Sequence, residues 1–166
     1  MAIFKSIRKE GQVNSKLEIG KKVPDFELVD DNGSTFRLFD HFDSNYVIIY
    51  FYPKDNTLVC TQQACAFRDE HELFCDLDAV VIGISSDSPE THHRFKEKNN
   101  LPFILLSDQN NTVRDLYGIK NDFLGLIPGR VSLIIDKNAN LLTLIDSQLN
   151  AKLHVEESLK SLRKLT

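Results

Sequence analysis

Three short apolar runs constrain this chain more than anything else in it: Tyr46-Val-Ile-Ile-Tyr-Phe-Tyr52, Ala79-Val-Val-Ile-Gly-Ile-Ser85 and Val131-Ser-Leu-Ile-Ile-Asp136. Each is rich in Val and Ile and lacks polar alternation, as strands do when both their faces are covered. A sheet buried on both sides needs helices, and helical patterns lie between and after the runs at Val59 to Phe74, Pro89 to Asn99, Asn111 to Tyr117 and His154 to Leu165. Ser88 stands as N-cap of the second, with Pro89 at the first helical position, where no backbone donor is needed. Asp136-Lys-Asn-Ala-Asn140 is a turn joining Val131 to Ile135 with Leu141 to Ile145, so the pattern closes as a hairpin and a helix. Near the start, Val23 to Val29 and Thr35 to Leu38 flank Asp30-Asp31-Asn32-Gly33, a turn composition that predicts an N-terminal β-hairpin.

This order gives an α/β layer fold resembling thioredoxin, with a central mixed β-sheet flanked by helices. At 166 residues it is one compact domain, expected over residues 19 to 166, preceded by an N-terminal extension over residues 1 to 18 read as a solvated tail. Charge and hydropathy then exclude classes of function. A net charge of -4 with no clustered Lys and Arg does not suit a nucleic-acid binder, and the longest apolar runs fall far short of the ~20 residues that span a bilayer. Lys5, Arg8 and Lys9 stand where a secretory signal places its apolar region, and no Arg-rich amphipathic run follows as in a mitochondrial presequence. The expectation is a cytoplasmic protein.

Cys60, Cys65 and Cys75 are the only cysteines, an odd number and too few for a secreted disulfide scaffold. A zinc site would ask for four ligands, and only His71 lies near the Cys60 and Cys65 pair in sequence, so no metal is expected. Cys60 falls in the first turn of a predicted helix, directly after the strand Tyr46 to Tyr52. Unpaired N–H groups and the positive end of the helix dipole there favour a thiolate, making Cys60 a nucleophile candidate; the plain alternative is a buried apolar cysteine.

The surrounding residues favour the first reading. Pro53, Thr57 and Cys60 match the active-site signature of the peroxiredoxins, which is Pro, three residues, Thr, two residues, Cys. Cys60-Thr-Gln-Gln-Ala-Cys-Ala-Phe-Arg-Asp69 is similar to the bacterioferritin comigratory protein branch, also called peroxiredoxin Q. The resemblance continues through Pro24-Asp25-Phe26, Ser85 to His92, Leu105 to Asp108, Tyr117-Gly118 and Gly129-Arg130. It implies Cys60 as the peroxidatic thiolate and Cys65, five residues on, as the resolving thiol. It further implies Thr57 as a hydroxyl partner of thiolate and peroxide, Arg130 as the cation that stabilises the thiolate and polarises the peroxide, and Pro53 as the wall that keeps water away. The reaction implied is reduction of hydrogen peroxide and organic hydroperoxides through a sulfenic acid and a Cys60–Cys65 disulfide. That disulfide would be recycled by thioredoxin or a similar dithiol donor, with no cofactor, in a monomer. Leu58-Val59 stand where the branch commonly has Pro-Gly.

Two other readings use the same residues. A thioredoxin-like disulfide oxidoreductase normally has two residues between its cysteines, and here there are four. A non-enzymatic peroxide sensor would share the Cys60 chemistry. Elsewhere, His92 and His93 point in different directions on a helix and are expected on the solvated surface, and nothing assigns His41 or His154 acid or base work. Leu124 to Gly129 is read as the lip of the active-site cleft, and Cys75, at a helix C-terminal end, as structural.

Overall fold

A computed structural model describes residues 6–8 and 16–166. Among the described residues eight strands form one sheet: β1 (Ser6–Arg8), β2 (Glu27–Asp30), β3 (Thr35–Arg37), β4 (Tyr46–Phe51), β5 (Ala79–Ser85), β6 (Ile104–Ser107), β9 (Val131–Ile135) and β10 (Leu141–Asp146), in the spatial order β1-β10-β9-β4-β5-β6-β2-β3. β4, β5 and β6 run parallel, while β9 and β2 join them antiparallel, so the sheet is mixed as expected. The predicted hairpin is β2 and β3, its turn closed by Asp30, whose carboxylate accepts from the N–H groups of Asn32 and Ser34. Ser6–Arg8 depart from the solvated tail expected of residues 1 to 18, because they pair in parallel with β10 at the sheet edge. Among the described residues no helix is long and apolar enough to cross a membrane.

Strand parity sorts the core into two. In β4, Val47, Ile49 and Phe51 face one apolar cluster with Phe26, Phe36, Val113 and Tyr117, while Ile48, Tyr50 and, just beyond the strand, Tyr52 face another with Cys60, Phe67, Phe95 and Leu159. β9 repeats this, with Leu133 to the first cluster and Ile134 to the second. Each fully buried side chain of this size contributes roughly 1.5–3 kcal/mol. Both faces being apolar explains the continuous runs in the sequence.

The helices α1 (Leu58–Asp69), α2 (His71–Asp76), α3 (Pro89–Asn99), α4 (Thr112–Tyr117) and α5 (Ala151–Arg163) follow the predicted patterns with one correction. The single helix expected over Val59 to Phe74 is two, because the chain leaves helical geometry at Glu70 (φ -101°, ψ 12°). α1 buries Cys60, Gln63, Ala64 and Phe67, the i, i+3, i+4, i+7 spacing of one face. α3 begins as predicted, with Ser88 Oγ accepting from Thr91 N–H at 3.2 Å. In β5, Gly83 is required by crowding: a Cβ there would lie 2.8 Å from Tyr50 and Leu105.

Candidate active site

The site forms where β4, α1 and β9 meet, and parity puts its parts on the same side of the sheet. Arg130 immediately precedes β9, so it shares a face with Ser132 and Ile134, the face α1 covers. Cys60 lies in the first turn of α1 and is 1% exposed. Arg130, also buried, donates from Nη2 to Cys60 Sγ at 3.3 Å, from Nη1 to Gln63 Oε1 at 2.6 Å and from Nε to the Gln148 carbonyl at 2.8 Å. All three nitrogens of its fork are thus directed. Gln63, three residues after Cys60, shares its helix face; that spacing was legible, though its use as an arginine partner was not. Gln148 arrives from the loop after β10 and donates from Nε2 to the Pro128 carbonyl at 3.2 Å.

The expected residues fall as follows. Pro53 follows β4 and is half-buried. Thr57 is the N-cap residue of α1, exposed and extended (φ -86°, ψ 154°), and its hydroxyl donates to the Lys54 carbonyl at 2.8 Å rather than to Cys60. Cys65, on the other flank of α1, has its Sγ 3.9 Å from Asn99 Oδ1 at the end of α3, so the two thiols have different neighbours. All three cysteines are free. Cys75 is exposed, 3.5 Å from His71 Nε2 one helical turn back, which corrects its reading as a structural cysteine. Leu124 to Gly129 lie largely in a small hairpin of β7 (Asn121–Asp122) and β8 (Ile127–Pro128) with exposed apolar tip residues Leu124 and Leu126. The adjoining cleft, about 560 Å³, is lined by Phe123 and Leu149 together with Ser147 and Gln148.

One histidine departs from expectation. His93 is exposed, but His92 is fully buried beside Phe95, on the inner face of α3. His92 Nδ1 is 2.7 Å from Asp55 Oδ2, and Nε2 donates to the Leu106 carbonyl at 3.1 Å. Asp55 also accepts from the Tyr52 hydroxyl at 2.6 Å, and its N–H donates to Asp87 Oδ2 at 2.9 Å. The loop carrying Pro53 and Thr57 is therefore moored to α3 and to the loop after β5. No sequence spacing links residues 37 positions apart, so this network was invisible beforehand. Donor atoms of Asp55, Asp87 and His92 lie within 4.8 Å of one another, the arrangement a cation would need, but protein hydrogen bonds already engage all three side chains. His154 is likewise buried, accepting from Ser132 Oγ at 2.7 Å and donating to the Ser147 carbonyl at 2.8 Å, and burial pushes its pKa down to about 4. Ser147 N–H in turn donates to the Arg130 carbonyl, so His154 braces the segment that receives Arg130.

Known proteins resemble this chain over most of its length. The model of the AhpC/TSA family matches residues 19–143. The chain is 44% identical over 155 residues to peroxiredoxin Bcp of Bacillus subtilis (strain 168), covering 90% of this chain and 98% of that one. It is 39% identical over 165 residues to the chloroplastic peroxiredoxin Q of Populus jackii, covering 99% and 77%. The crystal structure of peroxidoxin BcpB from Mycobacterium tuberculosis superposes with a TM-score of 0.84 at 33% identity, over 90% of this chain and 99% of that one. With its sheet, its helix-borne cysteine and these relatives in agreement, the chain belongs to the AhpC/TSA family and is a peroxiredoxin, a thiol-dependent peroxidase of the Bcp and peroxiredoxin Q branch.

Proposed function

We propose that Cys60 is the peroxidatic thiolate and Cys65 the resolving thiol of a cycle that reduces hydrogen peroxide and organic hydroperoxides and is recycled by thioredoxin or a similar dithiol. The observation that carries this reading is the 3.3 Å contact from Arg130 Nη2 to Cys60 Sγ. Arginine keeps its charge at any working pH, and the other two groups its fork reaches, an amide oxygen and a carbonyl, are neutral. Sulfur is the atom of the three that can supply the balancing negative charge. The α1 N-terminus adds to the same field.

The Cys60 sulfur attacks one peroxide oxygen; an S–O bond forms as the O–O bond breaks, and the departing oxygen leaves as water or alcohol after taking a proton. Arg130 faces the oxygen on which charge develops, and Thr57, whose oxygen keeps lone pairs free, accepts from the peroxide O–H. Pro53 closes one side of the site. Cys65 then attacks the Cys60 sulfenic acid, forming the disulfide as the S–O bond breaks and water leaves. A dithiol donor reduces the disulfide and is itself oxidised.

The test is peroxide consumption coupled to thioredoxin, thioredoxin reductase and NADPH. Wild type and Cys75→Ser turn over repeatedly, Cys60→Ser not at all, and Cys65→Ser stops after one equivalent at a sulfenic acid trappable by dimedone. Recycling lost in Cys75→Ser and kept in Cys65→Ser would reverse the resolving assignment, and a wild type that stopped after one equivalent would favour the sensor reading.

A further inference from the structure

The ladder between β4 and β9 ends at Phe51 opposite Val131. Continued by two residues, that register would set Pro53 opposite Gly129, and proline has no N–H to offer. Gly129 is also wedged on its other side: a Cβ would collide with the Lys120 carbonyl, to which the Gly129 N–H donates. The two strands thus lose their mutual hydrogen bonds at the point where they deliver Pro53 and Arg130.

Arg114, on α4 across the sheet from Cys60, fills this gap. Its Nη1 donates to the Gly129 carbonyl at 2.9 Å and its Nη2 to the Tyr52 carbonyl at 3.3 Å, so one planar fork spans both chains just before Arg130 and Pro53. The guanidinium lies 5.6 Å over the Phe51 ring and only 5% of the residue is exposed. Asp108 anchors the base of the arm, its carboxylate accepting from the N–H groups of Val113 and Arg114. Burial lowers the pKa of Arg114 to about 10, which leaves it charged at neutral pH. The direct hydrogen-bond partners of this buried cation are neutral carbonyls, and the nearby Asp108 and Asp115 carboxylates offset part of the cost of burying it.

We infer that Arg114 is a positioning residue of the peroxidase site, replacing the hydrogen bonds missing at the end of the β4–β9 ladder and so fixing the approach of Arg130 to Cys60. The inference rests on the roles given above to Cys60 and Arg130. Lysine cannot imitate it, because one ammonium lacks the planar fork that reaches two carbonyls at once.

The experiment is a double-mutant cycle on the second-order rate of Cys60 oxidation by hydrogen peroxide in a Cys65→Ser/Cys75→Ser background, with R114M, R114K, R130Q and the combinations. R114M is expected to slow the reaction about tenfold, the scale of a small misplacement of a catalytic group. R114K should recover less than half of that loss on a logarithmic scale, which also serves if R114M folds poorly. In the R130Q background R114M should add less than twofold, since there is no longer an arginine to aim. Equal losses from R114M with and without Arg130, or an unchanged rate in R114M beside a slowed R130Q, would overturn the positioning role alone. An unchanged rate in R130Q would overturn the role of Arg130 and with it the inference.

Discussion

Tyr50 shows how tightly single residues are held beside the thiols. Its ring stacks on Tyr52 at 5.2 Å and Phe67 at 4.8 Å, yet its buried hydroxyl has no hydrogen-bond partner in the structure. Burial raises its pKa well above the ordinary phenol value, so the group stays neutral and contributes a desolvated dipole. Tyr50→Phe should stabilise the reduced protein by about 1 kcal/mol, raising the melting temperature by roughly 2–4 °C. A loss of stability of similar size would mean that the hydroxyl has a partner. At this scale the resemblance to the family singled out Pro53, Thr57, Cys60, Cys65 and Arg130, of which the structure brings Arg130 to Cys60 while the Thr57 hydroxyl turns to Lys54 and Cys65 to Asn99. The sequence was silent on Asp55 and Arg114 and set His92 on the surface, because the partners that decide these positions lie far off in the chain and include backbone carbonyls, groups every residue has and no composition reveals.

Among the elements, it is α1 on which the proposed Cys60–Cys65 disulfide places a demand for motion. Cys60 and Cys65 are separated by roughly 7.5 Å along an ideal helix axis and by roughly 140° around it, and their observed neighbours, Arg130 and Asn99, fit that divergence. A disulfide cannot span the gap without local unwinding. Amide exchange across residues 58 to 68 should therefore be faster in the oxidised than in the reduced protein, with the Cys60–Cys65 bond verified by mass spectrometry. Equal protection in the two states would sink the unwinding. Helix propensity and periodicity located α1 well, but they ran through Glu70, because no Gly or Pro marks the break between α1 and α2. The strands β4, β5, β9 and β10 were read more accurately than helix ends, since two-sided burial leaves an unbroken Val and Ile signature while a cap is a matter of a few dihedral angles; β6, only four residues long, was not read at all.

The whole molecule answers to pH through His154. Its pKa falls from 6.5 to about 4 because burial penalises the charged ring. The unfolded chain therefore takes up this proton first, and stability that is full above pH ~6.5 declines as pH falls toward 4, by on the order of 3 kcal/mol from this group. Urea midpoints measured between pH 7 and 4 should fall less in His154→Gln than in wild type; parallel declines would assign the acid sensitivity elsewhere. The sheet meanwhile divides the interior into two apolar bodies, and α1 belongs wholly to one of them. Cys60 and Ala64 belong to the body that unwinding of the first turns of α1 would disturb, whereas Phe26, Phe36, Leu133 and Tyr117 belong to the other. In the proposed cycle α1 would open and reclose with each turnover as a lid does on a fixed case, the body that carries Cys60 softened by oxidation and the other holding the frame to which it returns.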